Sequence, residues 1–339
     1  MQHRPVKKIK YILWIPVLVL LLLVLIAVCF LAVKKQQHQK QEVQSSQQTA
    51  SFEEYSEKWR EGVVTYKGKE YQYDFNRKAY LIMGIDKEGK VEINEDAGNG
   101  GGRSDAMFLL VINTETKKMS VVSINRNTMS KVQVYSEEGK RLGEYELQIC
   151  LQHAYGDGGK LSCNRSVDAV SYLFYNTPIS GYLALNMDGI TGLNDAVGGV
   201  EVKILEDMKT SDGTLKKGQK KVLNGEEAYA YLRNRDESQF DSATQRLRRQ
   251  EQYINSLFQQ LGKRNDSKTA YNIYESVKEY LVTDLNAEEM IRELMTYEYD
   301  EQRLFTVPGE TRMGEELEEY HVDDDGLYAL IIDLFYKEV

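Results

Sequence analysis

Residues 11–33, YILWIPVLVLLLLVLIAVCFLAV, run for 23 positions without a charged side chain. A helix rises 1.5 Å per residue, so roughly 20 apolar residues span the hydrocarbon layer of a bilayer. A helix apolar around its whole circumference does not belong on a water-exposed surface. The segment is therefore expected to cross a membrane, and the globular part must fold from the residues C-terminal to it. A cleaved leader has an apolar core of about 7–15 residues followed by a small-residue cleavage site. This run is longer and ends in no such site, and Val28 stands where a lipoprotein signal around Cys29 needs a small residue. An uncleaved anchor is the reading. Arg4, Lys7, Lys8 and Lys10 precede it and Lys34, Lys35 and Lys40 follow it, so charge alone does not orient it. The ten-residue head is too short to be a domain, which favours a cytoplasmic head and an extracellular body on a single-pass cell-membrane protein.

The remainder is acidic. Residues 1–40 carry seven Lys/Arg and no acid, so with a total of −9 the other 299 residues carry −16. Such a body lacks the broad basic field that holds phosphate backbones, and no nucleic-acid partner is expected. With 42% hydrophobic residues the chain can bury a sizeable core. The Gln-rich stretch KKQQHQKQEVQSSQQTAS (34–51) reads as a solvated stalk. Cys150 and Cys163 form an even pair in a body placed in an oxidising compartment. A disulfide between them is the first reading, buried free thiols the second, and a metal site with His153 the third, because three ligands fall short of a zinc set.

Along the body, EGVVTYKGKEYQYDF alternates around Lys67-Gly68-Lys69 as a hairpin does. AYLIMGI (79–85) has the length and composition of a buried strand, and a Gly-rich loop (96–102) follows. Residues 106–126 read as two strands around a polar turn. Helical and extended patterns then alternate: SVDAVSYLF, GYLALNM, DGITGLNDAVGG and VEVKI. A helix starts at Asn224, and TQRLRRQEQYINSLFQQL is a long amphipathic helix with Leu247, Ile254, Leu257, Phe258 and Leu261 as its stripe. Two or three helices and the strand RLFTVPG complete the C-terminus. The expected fold is an α/β sandwich with helices covering a central mixed sheet, preceded by one transmembrane helix. Its divisions are a head (1–10), a membrane span (11–33), a stalk (34–51), an accessory hairpin segment (52–78) and one body domain (79–339).

The stretch YLRNRDESQFDSATQRLRRQ (231–250) packs five arginines into an acidic body. Arg246, Arg249 and Gln250 stand at i, i+3 and i+4 and share a helix face, while Arg248 points elsewhere. Arg233 and Arg235 project to one side if that chain is extended. Four guanidinium groups and one amide converging on a spot would clamp a phosphate or diphosphate by bidentate contacts. On spacing alone, a solvated face salt-bridged to Glu226, Glu227, Asp236, Glu237, Asp241 and Glu251 explains the stretch equally well. Asp86 ends one strand and Asp105 precedes the next, so the two carboxylates can meet at a sheet edge. Near a diphosphate, two carboxylates are what a hard Mg²⁺ ion takes from a protein, with glycines admitting the anion and Arg103 adding a donor. Singly, each aspartate is an ordinary turn or cap residue. His153 is a satisfied core histidine on the plainer reading, and no G-x-x-x-x-G-K-[ST] loop is present.

Seven pieces in order, LIMGID, GRSDAMFLLVIN, KMSVVSINRNT, HAYGDGG, GYLALNMDGITGLNDAVGGVEV, LNGEEAYAYLRNRD and RLRRQEQYI, make residues 79–260 resemble the LytR-CpsA-Psr family. The resemblance implies an α/β/α sandwich with a hydrophobic tunnel for a polyprenyl chain. It also implies transfer of a glycopolymer, such as teichoic acid or capsular polysaccharide, from a polyprenyl-diphosphate carrier to peptidoglycan. By motif position it implies Asp86 and Asp105 as ligands of Mg²⁺ (or Mn²⁺), catalytic together with Arg103. Arg103, Arg126, Arg233, Arg235, Arg246, Arg249 and Gln250 are implied to bind the diphosphate. Two departures stand out. Asn125 and Asn127 replace the Pro and Asp usual in S-I-P-R-D-T, and an asparagine cannot accept a proton as a base. Ala243 stands where the family often has Asp, with Asp241 two residues earlier. Those departures leave room for a membrane-anchored binder of lipid-linked polymer that transfers nothing. A transcriptional attenuator, the family's historical label, fits poorly with an acidic body behind a membrane helix.

Overall fold

The computed structural model describes residues 63–94, 98–211, 213–236, 238–263 and 266–339. The expected head (1–10), membrane helix (11–33) and stalk (34–51) lie outside them, and among the described residues no helix is long and apolar enough to cross a membrane. In chain order come β1 (Val63–Tyr66), β2 (Lys69–Tyr73), β3 (Arg77–Ile85), β4 (Ser104–Asn113), β5 (Lys118–Ile124), β6 (Met129–Tyr135) and β7 (Arg141–Gln148). Helices α1 (Leu151–Ala154) and α2 (Lys160–Leu173) lead to β8 (Gly181–Asn186), α3 (Gly189–Ala196), β9 (Val200–Lys203), β10 (Met208–Thr210), β11 (Gly213–Leu215) and β12 (Lys220–Leu223). The chain continues through α4 (Gly225–Arg233), α5 (Ser242–Gly262), α6 (Ser267–Val277), β13 (Leu281–Thr283) and α7 (Ala287–Leu294). It ends with β14 (Glu298–Thr306), β15 (Gly309–Met313), β16 (Glu318–Val322), α8 (Asp324–Phe335) and β17 (Tyr336–Glu338).

Six strands form the central sheet in the order β13-β8-β3-β4-β5-β14. It is mixed: β3 runs parallel to β8 and antiparallel to β4, and β14 runs parallel to β5. The apolar run read as a buried strand is β3, in the middle of this sheet. Side chains alternate across a strand, so Tyr80, Phe108, Leu110, Met119 and Val121 share one face, where they join a core with Leu247, Leu257 and Phe258 of α5. Leu81, Met83, Leu109 and Val122 point the other way and are equally buried. Burial on both faces is why these strands read as continuous apolar runs.

The hairpin turns at Lys67 and Gly68, both with positive φ (50° and 76°), which suits the twist of a two-residue turn. β2 also pairs with the C-terminal β17, and both lie in the compact unit that runs to Val339. Phe335 seals this seam, its ring 6.5 Å from that of Tyr73.

Candidate active site

β3 and β4 pair in register until Gly84 faces Ala106, after which Ile85 faces Ser104. Asp105 is the extra residue of a β-bulge, a device that re-aims a side chain out of the regular pleat. Just beyond it the Asp86 amide donates to the Arg103 carbonyl at 2.8 Å. Asp86 and Asp105 thus flank one backbone closure at the end of two adjacent strands, as their sequence positions suggest.

Asp105 is 9% exposed and lies between two buried guanidinium groups. Arg246 Nη1 approaches its Oδ2 at 3.0 Å, and Arg126 Nε lies 2.9 Å from its Oδ1. The second contact is off the N–H axis, so it is an ion pair without a hydrogen bond and leaves Oδ1 buried with no donor aimed at it. Arg126 Nη2 donates to Cys150 Sγ at 3.3 Å. Burial lowers the pKa of Arg246; Asp105 raises it, and Arg126 and Arg235 lower it further. One carboxylate between two guanidinium groups leaves a buried surplus of one positive charge, with Arg235 close by. Removing an ion from water costs several kcal/mol even after relaxation, so that surplus is a standing attraction for a further anion.

The outer part of the site is wetter. Arg103 pairs with Asp86 at 3.3 Å, and Arg233 pairs with Glu88 at 3.4 Å. Asp86, Lys87, Glu88, Lys90, Glu92 and Arg233 line a cavity of about 400 Å³. A hollow of about 470 Å³ between α5 and β14 touches none of these groups.

Arg249 and Gln250 are buried on the same helix face as Arg246, as their spacing suggests, but they have other partners. Gln250 Nε2 donates to the Leu232 carbonyl at 3.2 Å, and Arg249 donates to the Asn234 carbonyl and pairs with Glu206 at 2.7 Å. The last carbonyls of a helix have no intrahelical partner. These two side chains occupy carbonyls at and just after the end of α4, on the segment that bears Arg233 and Arg235. They position that segment rather than converge with it, and Arg248 is exposed. The counter-charges therefore come from other elements: Asp105, Glu88 and Glu206. Glu88 and Glu206 carry no motif that would have marked them in the sequence.

Residues 29–330 match the sequence model of the LytR_cpsA_psr family. The chain belongs to this family. It is 30% identical over 211 residues to the polyisoprenyl-teichoic acid–peptidoglycan teichoic acid transferase TagU of Halalkalibacterium halodurans, covering 62% of each chain. It is 29% identical over 238 residues to the Enterococcus faecalis protein of the same name, covering 68% of this chain and 70% of that one. The match thus spans about three fifths of the length of the first relative. Among solved structures, B. subtilis TagV superposes with a TM-score of 0.59 at 22% identity, over 76% of this chain and 95% of TagV. A structure described as TagT bound to LI-WTA gives 0.55 at 19% identity, over 81% and 95%. Both likenesses concern the fold.

The donor set of this family member suits a hard cation. Asp86 and Asp105 offer oxygen ligands and Asp105 Oδ1 lacks an aligned donor, while among the described residues no group of three or more His, Cys, Asp or Glu is placed to hold a metal ion without further ligands. Two protein carboxylates, completed by phosphate and water, are a common Mg²⁺ complement.

The expected disulfide is absent. Cys150 and Cys163 are free and buried because each sulfur faces a different group. Cys150 accepts from Arg126, whereas Cys163 Sγ lies 3.7 Å from His153 Nε2. Burial pushes both thiols up, so neither is poised as a thiolate. His153 Nδ1 lies 2.9 Å from the Gly102 carbonyl, and the Gly100 and Gly101 amides donate to Ala154. A Cβ on Gly101 would stand 2.2 Å from the His153 carbonyl, and Gly102 has φ +76°, so the loop leading to Arg103 needs glycine at both positions.

The family departures have local roles. Asn125 donates to Thr244 Oγ1 at 3.0 Å and accepts from the Asn127 amide at 2.9 Å. Asp241, in the left-handed conformation ahead of α5 (φ 62°), accepts from Thr311 at 2.5 Å, and Thr311 lies 3.4 Å from Thr244. Asp241 therefore joins the Asn125 loop through two hydroxyl groups.

Proposed function

We propose that this chain is a transferase that moves a glycopolymer, of teichoic-acid or capsule type, from a polyprenyl-diphosphate carrier to peptidoglycan. The 11–33 segment anchors it in the cell membrane, with the catalytic body outside. The observation that carries the reading is the buried, positively charged surplus formed by Arg126 and Arg246 around Asp105, bordered by Arg235 and the open Arg233–Arg103 cavity. A diphosphate supplies the missing negative charge. The TagU relatives, named as teichoic acid transferases, support the same reaction class.

In this reading the diphosphate lies against Arg126, Arg235 and Arg246, with Arg103 and Arg233 reaching it from the cavity side. An acceptor-sugar hydroxyl attacks the phosphorus that bears the glycopolymer. The new P–O bond forms as the bond to polyprenyl phosphate breaks, and the hydroxyl proton leaves to a carboxylate or water. The guanidinium groups balance the charge on the departing phosphate. A Mg²⁺ or Mn²⁺ ion held by Asp86 and Asp105 supplies further charge neutralisation. No covalent enzyme intermediate is required, which suits a site whose nearby histidine and thiols are buried in structural contacts. Arg249 and Gln250 act by holding the Arg233–Arg235 segment.

A non-catalytic binder is the second reading, favoured by Asn125, whose amide is committed to Thr244 and Asn127. Incubating the full-length chain with polyprenyl-diphosphate-linked oligosaccharide, Mg²⁺ and peptidoglycan fragments separates the two. Metal-dependent release of polyprenyl phosphate is expected, lost in Asp86→Asn. Tight binding without release supports the binder, and neither binding nor release overturns both. Specific retention of DNA at physiological salt would revive the attenuator.

A further inference from the structure

Asn234 stands between Arg233, the last residue of α4, and Arg235. Its ψ of 136° ends the helix and sends the chain on in extended form. The peptide unit is planar, so this one torsion sets both the direction of the Asn234 carbonyl and the course of Arg235. Arg249 holds that carbonyl, and Gln250 Nε2 holds the Leu232 carbonyl at 3.2 Å. The Arg249 side chain is 2% exposed, and its Nε has no hydrogen-bond partner. Burial lowers its pKa and Glu206 raises it. Among the described residues Glu206, 2.7 Å from Nη1, is the one carboxylate paired with it. The backbone leading to Glu206 is fixed in turn. Ile204 donates to the Gln219 carbonyl at 2.8 Å and accepts from the Gly218 amide at 2.7 Å. The Leu205 amide donates to the Tyr231 hydroxyl at 3.3 Å, which donates to Gln252 at 2.8 Å, and Gln252 Nε2 returns to the Lys203 carbonyl at 2.8 Å.

From this chain of contacts we infer that Glu206 is a positioning residue for diphosphate binding, acting through Arg249 on the Asn234 carbonyl and so on the aim of Arg233 and Arg235. The inference rests on the transferase reading, in which those two arginines meet the carrier diphosphate. Without the carboxylate, Arg249 is a buried cation with no counter-charge, and such a group turns toward water or another anion. The Asn234 carbonyl is then released and its ψ is no longer held. Arg233 and Arg235 must be ordered by the ligand at the moment of binding, which costs affinity. Glu206 therefore assists an anion although it carries the same sign of charge. Attraction through space alone predicts the opposite, because removing an acid makes the surroundings more positive. A Glu206 that merely restrained Arg249 from reaching the diphosphate predicts the opposite as well.

Full-length protein in detergent micelles is titrated calorimetrically with geranyl diphosphate, a water-soluble prenyl diphosphate, with Mn²⁺ present at physiological salt. Glu206→Gln keeps the side-chain shape and is expected to bind about fivefold more weakly than the wild type, or worse. Equal or tighter binding by this variant overturns the inference. Asp207→Asn removes the neighbouring charge, which pairs with Lys216 at 3.4 Å on the surface, and is expected to stay within about twofold of the wild type. A loss there as large as in Glu206→Gln would make the effect one of charge and not of position, and also overturns it. In an Arg233→Ala, Arg235→Gln background the target of the relay is gone, so adding Glu206→Gln is expected to change affinity by less than about twofold. A fivefold loss that persists in that background counts against the relay. Hydrogen exchange reads the segment directly: the Asn234 amide, which donates to Ala230 at 3.0 Å, is expected to exchange at least about threefold faster in Glu206→Gln. Glu206→Asp, which keeps the charge one methylene farther from Arg249, answers the same question if Glu206→Gln does not fold. Weaker binding and faster exchange are expected there too, and wild-type values of both overturn the inference. A wild type that binds no geranyl diphosphate sinks the diphosphate reading itself. Binding by the wild type that the Glu206 variants leave unaltered sinks only the relay.

Discussion

The inner and outer parts of the site use the same residue types and differ in their access to water. Asp105, Arg126 and Arg246 are nearly closed off, whereas Asp86 with Arg103 and Glu88 with Arg233 stand at the open cavity. Exposed ion pairs contribute about 0–1 kcal/mol, and salt screens them over a Debye length of about 8 Å at physiological strength. Buried ones commit several kcal/mol, because an ion left without its partner has no water to replace it. The outer arginines can therefore change partners at little cost, as a capture surface must. The inner arginines change partners only when another anion is offered.

The sharpest way to break this contrast is to truncate one carboxylate from each part. Asp105→Ala leaves two buried guanidinium groups facing a void, and a loss of about 3–5 kcal/mol in unfolding free energy is expected from denaturant titration. Asp86→Ala removes an exposed pair and is expected to stay within about 1 kcal/mol of the parent. Similar losses in both would mean that the two parts share one environment.

A smaller effect tests the loop that carries Arg103 and Asp105 into place. Burial lowers the pKa of His153, while contacts with the Gly101 and Gly102 backbone partly offset this. The unfolded chain binds a proton there near the ordinary value of about 6.5 and the folded chain only at lower pH, so the unfolded state carries more protons in that window. Stability is then complete above pH 6.5 and falls as pH drops below it, by up to about 1.4 kcal/mol per unit until the folded pKa is reached. Tm measured from pH 7.5 to 5.5 should decline below 6.5 in the wild type and less steeply in His153→Asn. Parallel profiles would place the proton elsewhere.

Much of this was legible in the sequence, and the remainder was hidden for identifiable reasons. The runs that became β3, β4 and β5, the α5 stripe and the shared face of Arg246, Arg249 and Gln250 follow from periodicity, which side-chain type records. The strand-end positions of Asp86 and Asp105 follow from where those runs stop. The bulge that turns Asp105 toward Arg126 and Arg246 is a one-residue slip against β3, and no letter of β4 encodes it. Arg249 and Gln250 bond to the carbonyls of Leu232 and Asn234, and carbonyls look alike in every residue. Cys150 and Cys163 are close in sequence, but their sulfurs are assigned by Arg126 and His153, which only the fold brings in. The β6–β7 hairpin was readable in principle, since KVQVY alternates ahead of the Glu137-Glu138-Gly139 turn.

The smallest expected change in stability belongs to Arg233→Ala, and it sharpens the comparison because stability and binding should separate there. Its Glu88 partner is 70% exposed, so losing the pair leaves no buried charge behind. A shift of no more than about 0.5 kcal/mol in unfolding free energy is expected, since surface substitutions away from special features usually stay within that range. Affinity for geranyl diphosphate with Mn²⁺ present should nonetheless fall about tenfold, the equivalent of about 1.4 kcal/mol for one charge-assisted contact. That deficit should shrink as salt rises, because a half-exposed guanidinium attracts its anion through screened solvent. A deficit independent of salt would assign Arg233 to the closed part of the site, and the division between capture and clamp would have to be redrawn around Arg235.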